Sequence, residues 1–140
     1  ISVQRLIDVE PHVVVPAQHQ LAKRRTIKLN ELSAESFVLL DLPHSREYFT
    51  KIFSLAGIQP NITYRSGNPE LVRSLVGRGM GVAILNLRPA SLVSLDGHNF
   101  AILDIEDKLP SARIVTMSMD HKLLTRRAST VLETAKRLSL

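Results

Sequence analysis

Short aliphatic stretches alternate with helix-start signals along this sequence, and this order constrains the fold more than any other feature. Residues 37–40 (FVLL) and 62–65 (ITYR) are typical of strands, and a helical pattern follows each of them. The first helix, over residues 45–56, has apolar side chains spaced to form one face: Tyr48, Phe49, Ile52, Phe53 and Ala56. Alternating strands and helices predict an α/β domain.

The boundaries of the helices are marked by residues with known capping preferences. Ser45 can cap the start of the first helix, and Gly57 can end it. Asn68 followed by Pro69 is a strong start for a second helix, because Asn caps well and Pro fits the first helical position. The buried face of this second helix is expected to contain Leu71, Val72, Leu75 and Val76.

Weaker signals complete the predicted secondary structure. Further strands are expected at residues 13–15, 82–85, 100–105 and 114–119, short helical turns at 30–32 and 88–93, and a polar loop at 18–28. A closing amphipathic helix is expected at 125–138, with these side chains directed inward: Ala128, Val131, Leu132, Ala135 and Leu138.

Composition restricts the chemistry that is available to the chain. Of its 140 residues 44% are hydrophobic, 22% charged and 4% aromatic, so a globular domain with an aliphatic core is expected. The absence of Cys excludes disulfides, thiolate metal sites and cysteine nucleophiles. No apolar run is long enough to span a membrane, and no secretory signal opens the chain, although residue 1 is Ile rather than Met.

The formal net charge of +5 raises the question of nucleic-acid contact. The positive residues are dispersed, and their clusters are residues 23–25 and 126–127. Neither cluster contains the aromatic side chains that would stack on bases. We interpret both clusters as ordinary solvated surface.

Several patterns that suggest catalysis or phosphate binding do not meet the requirements of that chemistry. The glycines of residues 77–81 follow a helix and precede a strand, whereas phosphate-binding glycines follow a strand and precede a helix. His44 and Ser45 are adjacent and near Asp41, but no G-x-S-x-G turn accompanies them. No metal-binding spacing is found among the histidines, which are His12, His19, His44, His98 and His121. We therefore predict no catalytic residue, no metal and no cofactor.

Two loops are suited to binding a small polar ligand. Each lies between a predicted strand and a helix start, where backbone N–H groups are free and the helix dipole is positive. Ligands of open α/β sheets bind beyond the carboxyl ends of the strands. The candidate residues are Leu42, Pro43, His44 and Ser45 in the first loop and Ser66, Gly67 and Asn68 in the second. Ser45 and Asn68 taken singly could serve only as helix caps, but the two loops together favour a shared cleft.

Four segments of the chain match a known family pattern in order and spacing. They are VVVPAQHQLA at residues 13–22, KLNEL at 28–32, AGIQP at 56–60 and LVRSLVGRGMGVAIL at 71–85. They resemble the effector-binding domain of LysR-type transcriptional regulators, and the last segment is the most specific. Gln20 and Asn86 depart from the family pattern, because Pro is usual at both positions. The family places residue 86 near its cleft, so the resemblance implies that Asn86 lines the effector site together with the two loops, although it could simply accommodate the turn.

The resemblance implies an α/β fold of the periplasmic-binding-protein-like II type, with two Rossmann-like lobes that each contain a mixed sheet. Residues 1–10 and 88–140 would belong to lobe I with the hinge crossovers, and residues 11–87 would form lobe II. Lobe I would be incomplete in this chain. The N-terminal winged helix-turn-helix, through which the family contacts DNA, would also lie outside it.

The resemblance also implies a function. In this family a small effector, often an organic anion, binds between the lobes and shifts the population of lobe arrangements. The whole protein would be a cytoplasmic transcription regulator without a membrane partner, and its effector domains would pair into a homodimer or homotetramer. We expect the pairing surface to include residues 45–56 and 62–65, with Tyr48, Phe49 and Phe53 divided between that surface and the core.

Two alternatives remain open at this point. A solute-binding protein of a transporter would share the fold but would work outside the cytoplasm. An enzyme built on the same scaffold would need a convergent acid/base pair, which the sequence does not suggest.

Overall fold

The computed structural model describes residues 1–119 and 124–138. By its contacts the chain divides into a smaller unit, Ile1–Glu10 with Ser111–Leu140, and a larger unit, Pro11–Pro110. His121, one of the histidines without a metal-binding spacing, lies outside the described residues.

The elements follow the alternation expected from the sequence. The strands are β1 Ser2–Val9, β2 His12–Pro16, β3 Thr26–Ile27, β4 Ser36–Leu40, β5 Asn61–Ser66, β6 Ala83–Leu85, β7 Phe100–Ile105 and β8 Ala112–Ser118. The α-helices are α1 Arg46–Leu55, α2 Pro69–Gly77 and α3 Arg126–Leu138, and short 3-10 turns lie at Gln20–Lys23 and Leu29–Leu32. Among the residues described, no helix combines the length and apolarity that crossing a membrane requires.

The strands of the larger unit form a mixed sheet. β2 pairs antiparallel with β6 on one side and with β7 on the other, and β3 pairs parallel with β7. β4 and β5 pair parallel with each other. Val82 connects the two groups, since its N–H donates to the carbonyl of Ser36 (2.8 Å) and its carbonyl accepts from the N–H of Val38 (2.9 Å). These bonds give the strand order β3-β7-β2-β6-β4-β5.

Alternation along β2 separates the core into two faces. Val13 and Val15 belong to the apolar cluster that holds the buried residues of α1, which are Phe49, Ile52 and Phe53. Val14 belongs to another cluster, together with Val72 and Val76 of α2. The two helices therefore cover opposite faces of the sheet. Burying a valine in this way contributes about 1.5–3 kcal/mol relative to an exposed side chain.

The turn between α2 and β6 brings two backbones close together. Gly79 and Gly81 have positive φ angles of 81° and 147°. A Cβ on Gly81 would lie 2.5 Å from the carbonyl oxygen of Ser36, whereas a Cβ on Gly79 would meet nothing within 4 Å. The lack of a side chain at Gly81 thus allows the chain that enters β6 to approach β4.

The smaller unit contains a two-stranded antiparallel ribbon, β1 with β8, and the helix α3. Val3 lies opposite Met117 and Ile7 lies opposite Ile114, and all four side chains are exposed. None of the residues that the structure describes in α3 is fully buried. An isolated two-stranded ribbon is marginally stable in water, so packing against these exposed apolar side chains would stabilise the unit.

Most of the predicted strands and helices are confirmed, and several details are wrong. Residues 88–93, all of them described, contain no helical turn; Val93 instead forms a bridge with Asn99. β1 was not predicted, and the loop predicted at 18–28 contains a 3-10 turn and the short strand β3. The side chains predicted to be buried but found exposed are Leu71 (49%), Val131 (67%) and Leu138 (83%).

The boundary expected at residues 87–88 differs from the division of contacts. Residues 88–110 lie in the larger unit, because β7 pairs along its length with β2. The boundary at residues 87–88 was implied by the family resemblance, and the assignment of lobes stays a prediction. The chain leaves the larger unit after Pro110.

We predict that Gly81→Ala lowers the free energy of unfolding by about 2–3 kcal/mol, because it combines a strained φ with a backbone overlap. Gly79→Ala is the matched control: its φ is also positive, but the space around it is open, so we expect a loss of about 1 kcal/mol. Urea unfolding followed by circular dichroism measures both values. Equal losses in the two variants would contradict the proposed close approach of β6 to β4.

Candidate functional site

The two loops proposed from the sequence lie side by side. They follow the parallel strands β4 and β5, in which Leu40 pairs with Ser66. The N–H of Asp41 donates to the carbonyl of Ser66 (2.8 Å), and a Cβ on Gly67 would lie 3.5 Å from Cδ2 of Leu42. The carboxyl ends of parallel strands meet at one edge of a sheet, which is why residues 42–45 and 66–68 come together.

The first loop is closed by the side chain of Ser45. Its Oγ accepts a hydrogen bond from the N–H of Leu42 (3.1 Å) and lies 3.1 Å from the carbonyl oxygen of Leu42, to which the hydroxyl can donate. Ser45 makes no cap hydrogen bond to α1, so the predicted capping role is wrong. The hydroxyl is engaged within the loop instead. Pro43 and His44 are exposed.

The second loop is closed by Asn68 and Ser66. Oδ1 of Asn68 accepts from the N–H of Glu70 (2.9 Å), which confirms the predicted cap of α2. Oγ of Ser66 accepts from the N–H of Asn68 (3.0 Å). Gly67 and Asn68 are exposed, and Ser66 is half-buried. The Ser66 hydroxyl also lies 3.4 Å from the carbonyl oxygen of Asn68, so both polar side chains stabilise the loop.

A charged group beside the loops was missed by the sequence analysis. Asp41 accepts from Nε of Arg46 (3.0 Å), and Nη1 of Arg65 lies 3.7 Å from its other carboxylate oxygen. One carboxylate between two guanidinium groups leaves a net positive charge at this edge. Arg46 is the first residue of α1, where a positive charge is unfavourable unless an acid compensates it. That unfavourable position was a signal that the sequence offered.

Asn86 is half-buried and bonds to α1. Its Nδ2 donates to the hydroxyl of Tyr48 (2.8 Å), and that hydroxyl donates to the carbonyl of Pro110 (2.8 Å). Burial raises the pKa of the Tyr48 hydroxyl above its ordinary value, and the bond from Asn86 opposes this effect. Tyr48 lies in the first turn of α1, close in sequence to Ser45. Asn86 is thus linked to the candidate site through the helix.

A second polar cluster lies at the turn after α2. The carboxylate of Asp96 accepts from Oγ of Ser94 (2.5 Å) and Nε of Arg78 (2.6 Å), and these bonds hold its pKa well below the usual range. Nδ1 of His98 lies 3.3 Å from the same carboxylate. These bonds hold the loop around residues 94–98 against the α2–β6 turn, so the cluster has a structural role.

The glycine-rich turn does not present its amides to a phosphate. The N–H groups of Arg78, Gly79 and Met80 donate to carbonyls within α2. These hydrogen bonds support the interpretation that the glycines form a helix-to-strand turn and not a phosphate-binding loop. Across the described part of the chain, no three His, Asp or Glu side chains gather in a way that could hold a metal ion.

Known proteins resemble the chain in sequence and in fold. The HTH-type transcriptional regulator YybE of Bacillus subtilis (strain 168) is 37% identical over 82 residues, which are 58% of this chain and 28% of YybE. The crystal structure of HinK, a LysR family transcriptional regulator from Pseudomonas aeruginosa, superposes with a TM-score of 0.87 at 28% identity. The match covers 99% of this chain and 48% of HinK, so the chain spans about half the length of that protein.

The effector-binding domain of QuiR, solved in complex with shikimate, superposes with a TM-score of 0.75 at 22% identity, over 99% of this chain and 65% of that one. This likeness concerns the fold alone. Together with HinK it confirms the predicted α/β fold of the periplasmic-binding-protein-like II type.

The family is decided by the whole length of the chain rather than by a single motif. Residues 1–139 match the family described as LysR substrate binding domain. This match includes both compact units, and it contains the four segments on which the resemblance was based. The chain belongs to the LysR substrate-binding domain family.

Proposed function

We propose that this chain is the effector-sensing part of a LysR-type transcription regulator and that it binds a small organic anion at the edge formed by residues 42–45 and 66–68. The observation that carries the proposal is the contact between the two loops at the carboxyl ends of β4 and β5, where the Asp41 N–H donates to the Ser66 carbonyl. Ligands of open α/β sheets occupy this position. Leu42, Pro43, His44, Ser45, Ser66, Gly67 and Asn68 are the proposed contacts.

The electrostatics of this edge favour a negative ligand. α1 begins without a side-chain cap among the described residues. The N–H of Arg46 donates to the carbonyl of Leu42 (3.2 Å), so the later N–H groups of the first turn are the ones that an anion could meet. Arg46 and Arg65 contribute a net positive charge with Asp41 between them. The shikimate bound by QuiR is a carboxylate, which is the kind of group that such an arrangement would attract.

The relatives favour sensing over transport or catalysis. YybE and HinK are transcriptional regulators, which supports the regulator and gives no support to a transporter's solute-binding protein. In the proposed mechanism the effector binds one arrangement of the domain better than another and shifts the population, without turnover. DNA would be contacted through a helix-turn-helix outside this chain, in the cytoplasm. We assign Pro11–Pro110 to lobe II and the smaller unit to lobe I.

We predict that Asn68→Asp weakens binding of a small carboxylate to the full-length regulator by about tenfold, which corresponds to about 1.4 kcal/mol. Asp caps a helix as well as Asn does, so α2 is expected to keep its start while the loop gains a repelling charge. Isothermal titration calorimetry is the measurement, with shikimate and a panel of other small carboxylic acids as probes and their neutral amides as controls.

For the variant Ser66→Ala, the matched control is Ser33→Ala, since Ser33 is exposed and lies outside both loops. Equal binding of carboxylates and amides would contradict the anion assignment. Unchanged affinity of a bound carboxylate in Asn68→Asp and Ser66→Ala would contradict the site. If no member of the panel binds, the assignment of a small carboxylate is wrong.

The regulatory part of the proposal has its own experiment. The full-length protein is mixed with fragments of its own genome, and the retained DNA is sequenced. We expect enrichment of promoter regions, because specific regulators bind their sites far more tightly than random DNA. Uniform recovery of all fragments would exclude the DNA-binding regulator while leaving small-molecule binding to be judged separately.

The pairing surface expected from the sequence coincides with a groove of about 490 Å³ between α1 and β5. Its lining includes Phe49, Phe53 and Ile62, and within residues 1–119 and 124–138 β5 pairs only with β4, which leaves an open strand edge. Phe49 and Phe53 are buried, so they support the groove from the core. Open edges and apolar grooves are surfaces that proteins commonly cover by association. We propose that a second copy of the domain covers the groove and the open edge of β5.

We predict that Ser54→Arg halves the molar mass of the full-length regulator measured by light scattering, because it places a charge at the groove. Ser33→Arg adds the same charge on exposed surface away from the groove and should leave the mass unchanged. An unchanged mass for Ser54→Arg would place the association elsewhere.

A further inference from the structure

The segment that follows β6, residues 86–88, is held by side chains from several elements. We call it the β6 exit. Asn86 bonds to Tyr48 of α1, and the carbonyl of Leu87 accepts from Arg73 of α2 (2.6 Å). Arg88 forms an ion pair with Asp104 of β7. The β6 exit therefore lies where contacts from both helices converge.

Tyr48 joins the β6 exit to the place where the chain leaves the larger unit. Its hydroxyl accepts from Nδ2 of Asn86 and donates to the carbonyl of Pro110, each at 2.8 Å. A phenolic hydroxyl has one proton and two lone pairs, so it can make both bonds at once. Pro110 is the last residue of the larger unit. One atom on α1 thus fixes two segments that are far apart in sequence.

Arg73 of α2 also bonds to the β6 exit. It is 4% exposed, and its guanidinium donates through Nη2 to Leu87 and through Nη1 to Glu70, which lies in the first turn of the helix. A buried guanidinium is costly unless its protons are bonded, and the bonds through Nη1 and Nη2 offset part of this cost, while Nε has no hydrogen-bond partner among the described residues. Arg73 therefore links the first turn of α2 to the β6 exit.

The helices that hold the β6 exit are the same ones whose starts carry the two proposed ligand loops. We propose that Tyr48 and Arg73 are positioning residues that couple occupancy of loops 42–45 and 66–68 to the positions of the β6 exit and Pro110; this inference rests on the proposed function. A ligand that bridges the loops alters the separation of the two helix starts. Hydrogen bonds weaken steeply with distance and angle, so the β6 exit and Pro110 move with the helices to which they are bonded. The ligand acts by favouring one of these arrangements.

The first test needs no ligand. In the full-length regulator we expect Tyr48→Phe to accelerate amide hydrogen exchange about tenfold in residues 86–88 and 109–112 together, because one hydroxyl holds both segments. Tyr64→Phe is the matched control, since it removes the same atom from the exposed strand β5. Unchanged exchange, or acceleration in one of the two segments alone, would overturn the coupling through Tyr48.

A double-mutant cycle isolates the bond between Tyr48 and Asn86. Asn86→Ala and Tyr48→Phe are each expected to accelerate exchange at Pro110's neighbours Leu109 and Ser111, and the double variant should be no faster than the faster single variant. If the two accelerations multiply in the double variant, the substitutions act independently, which would contradict an effect through the Tyr48–Asn86 hydrogen bond.

A third measurement concerns Arg73 and the response to a ligand. With a carboxylate probe that binds the wild-type regulator, Arg73→Met and Tyr48→Phe should keep the dissociation constant within about threefold but reduce the probe-dependent change in DNA affinity by about tenfold. Loss of probe binding together with the response would make these residues part of the site and overturn the positioning role. If no carboxylate binds the wild type, the proposed function fails, while the exchange experiments still decide the coupling.

Discussion

The parallel pairing of β4 with β5 is the interaction on which the candidate site depends. Each of these strands is followed by a short loop and then a helix, so the pairing places the starts of α1 and α2 at the same edge of the sheet. The helices then cover opposite faces, because side chains of the central strands alternate between two apolar clusters. The loops are held close by bonds between strands, while the helices that follow them diverge.

Polar side chains in this region carry out two tasks. Ser45, Ser66 and Asn68 shape the loops through bonds to neighbouring backbone groups. Tyr48 and Arg73, farther along the helices, bond to segments that return from elsewhere in the chain. A loop whose own polar groups satisfy its backbone can stay ordered before a ligand arrives, which lowers the entropic cost of binding. The bonds of Tyr48 and Arg73 connect the helices that follow the loops to other parts of the larger unit.

Local signals predicted the elements well where the physical cause was itself local. Asn68 and Pro69 define the start of α2 because a cap and a fixed φ act within one turn. Ser45 has the same capping potential, but its hydroxyl bonds to Leu42, since the loop between β4 and α1 folds back on itself. The turn predicted at 88–93 failed for a related reason: these residues follow the path that leads into β7, whose pairing with β2 is a long-range interaction. The β1–β8 ribbon likewise joins the two ends of the chain.

Short-range patterns in the sequence were enough to predict the α/β class, the order of the elements and the two candidate loops, and four motifs indicated the family. They could do so because periodicity, capping and glycine placement are properties of short segments. Tertiary structure decided that the loops touch, that Asp41 is shared by Arg46 and Arg65, that Asn86 bonds to Tyr48 and that the larger unit ends at Pro110. Each of these depends on residues brought together from distant positions, and the separation of such partners in space is fixed only when the strands have paired.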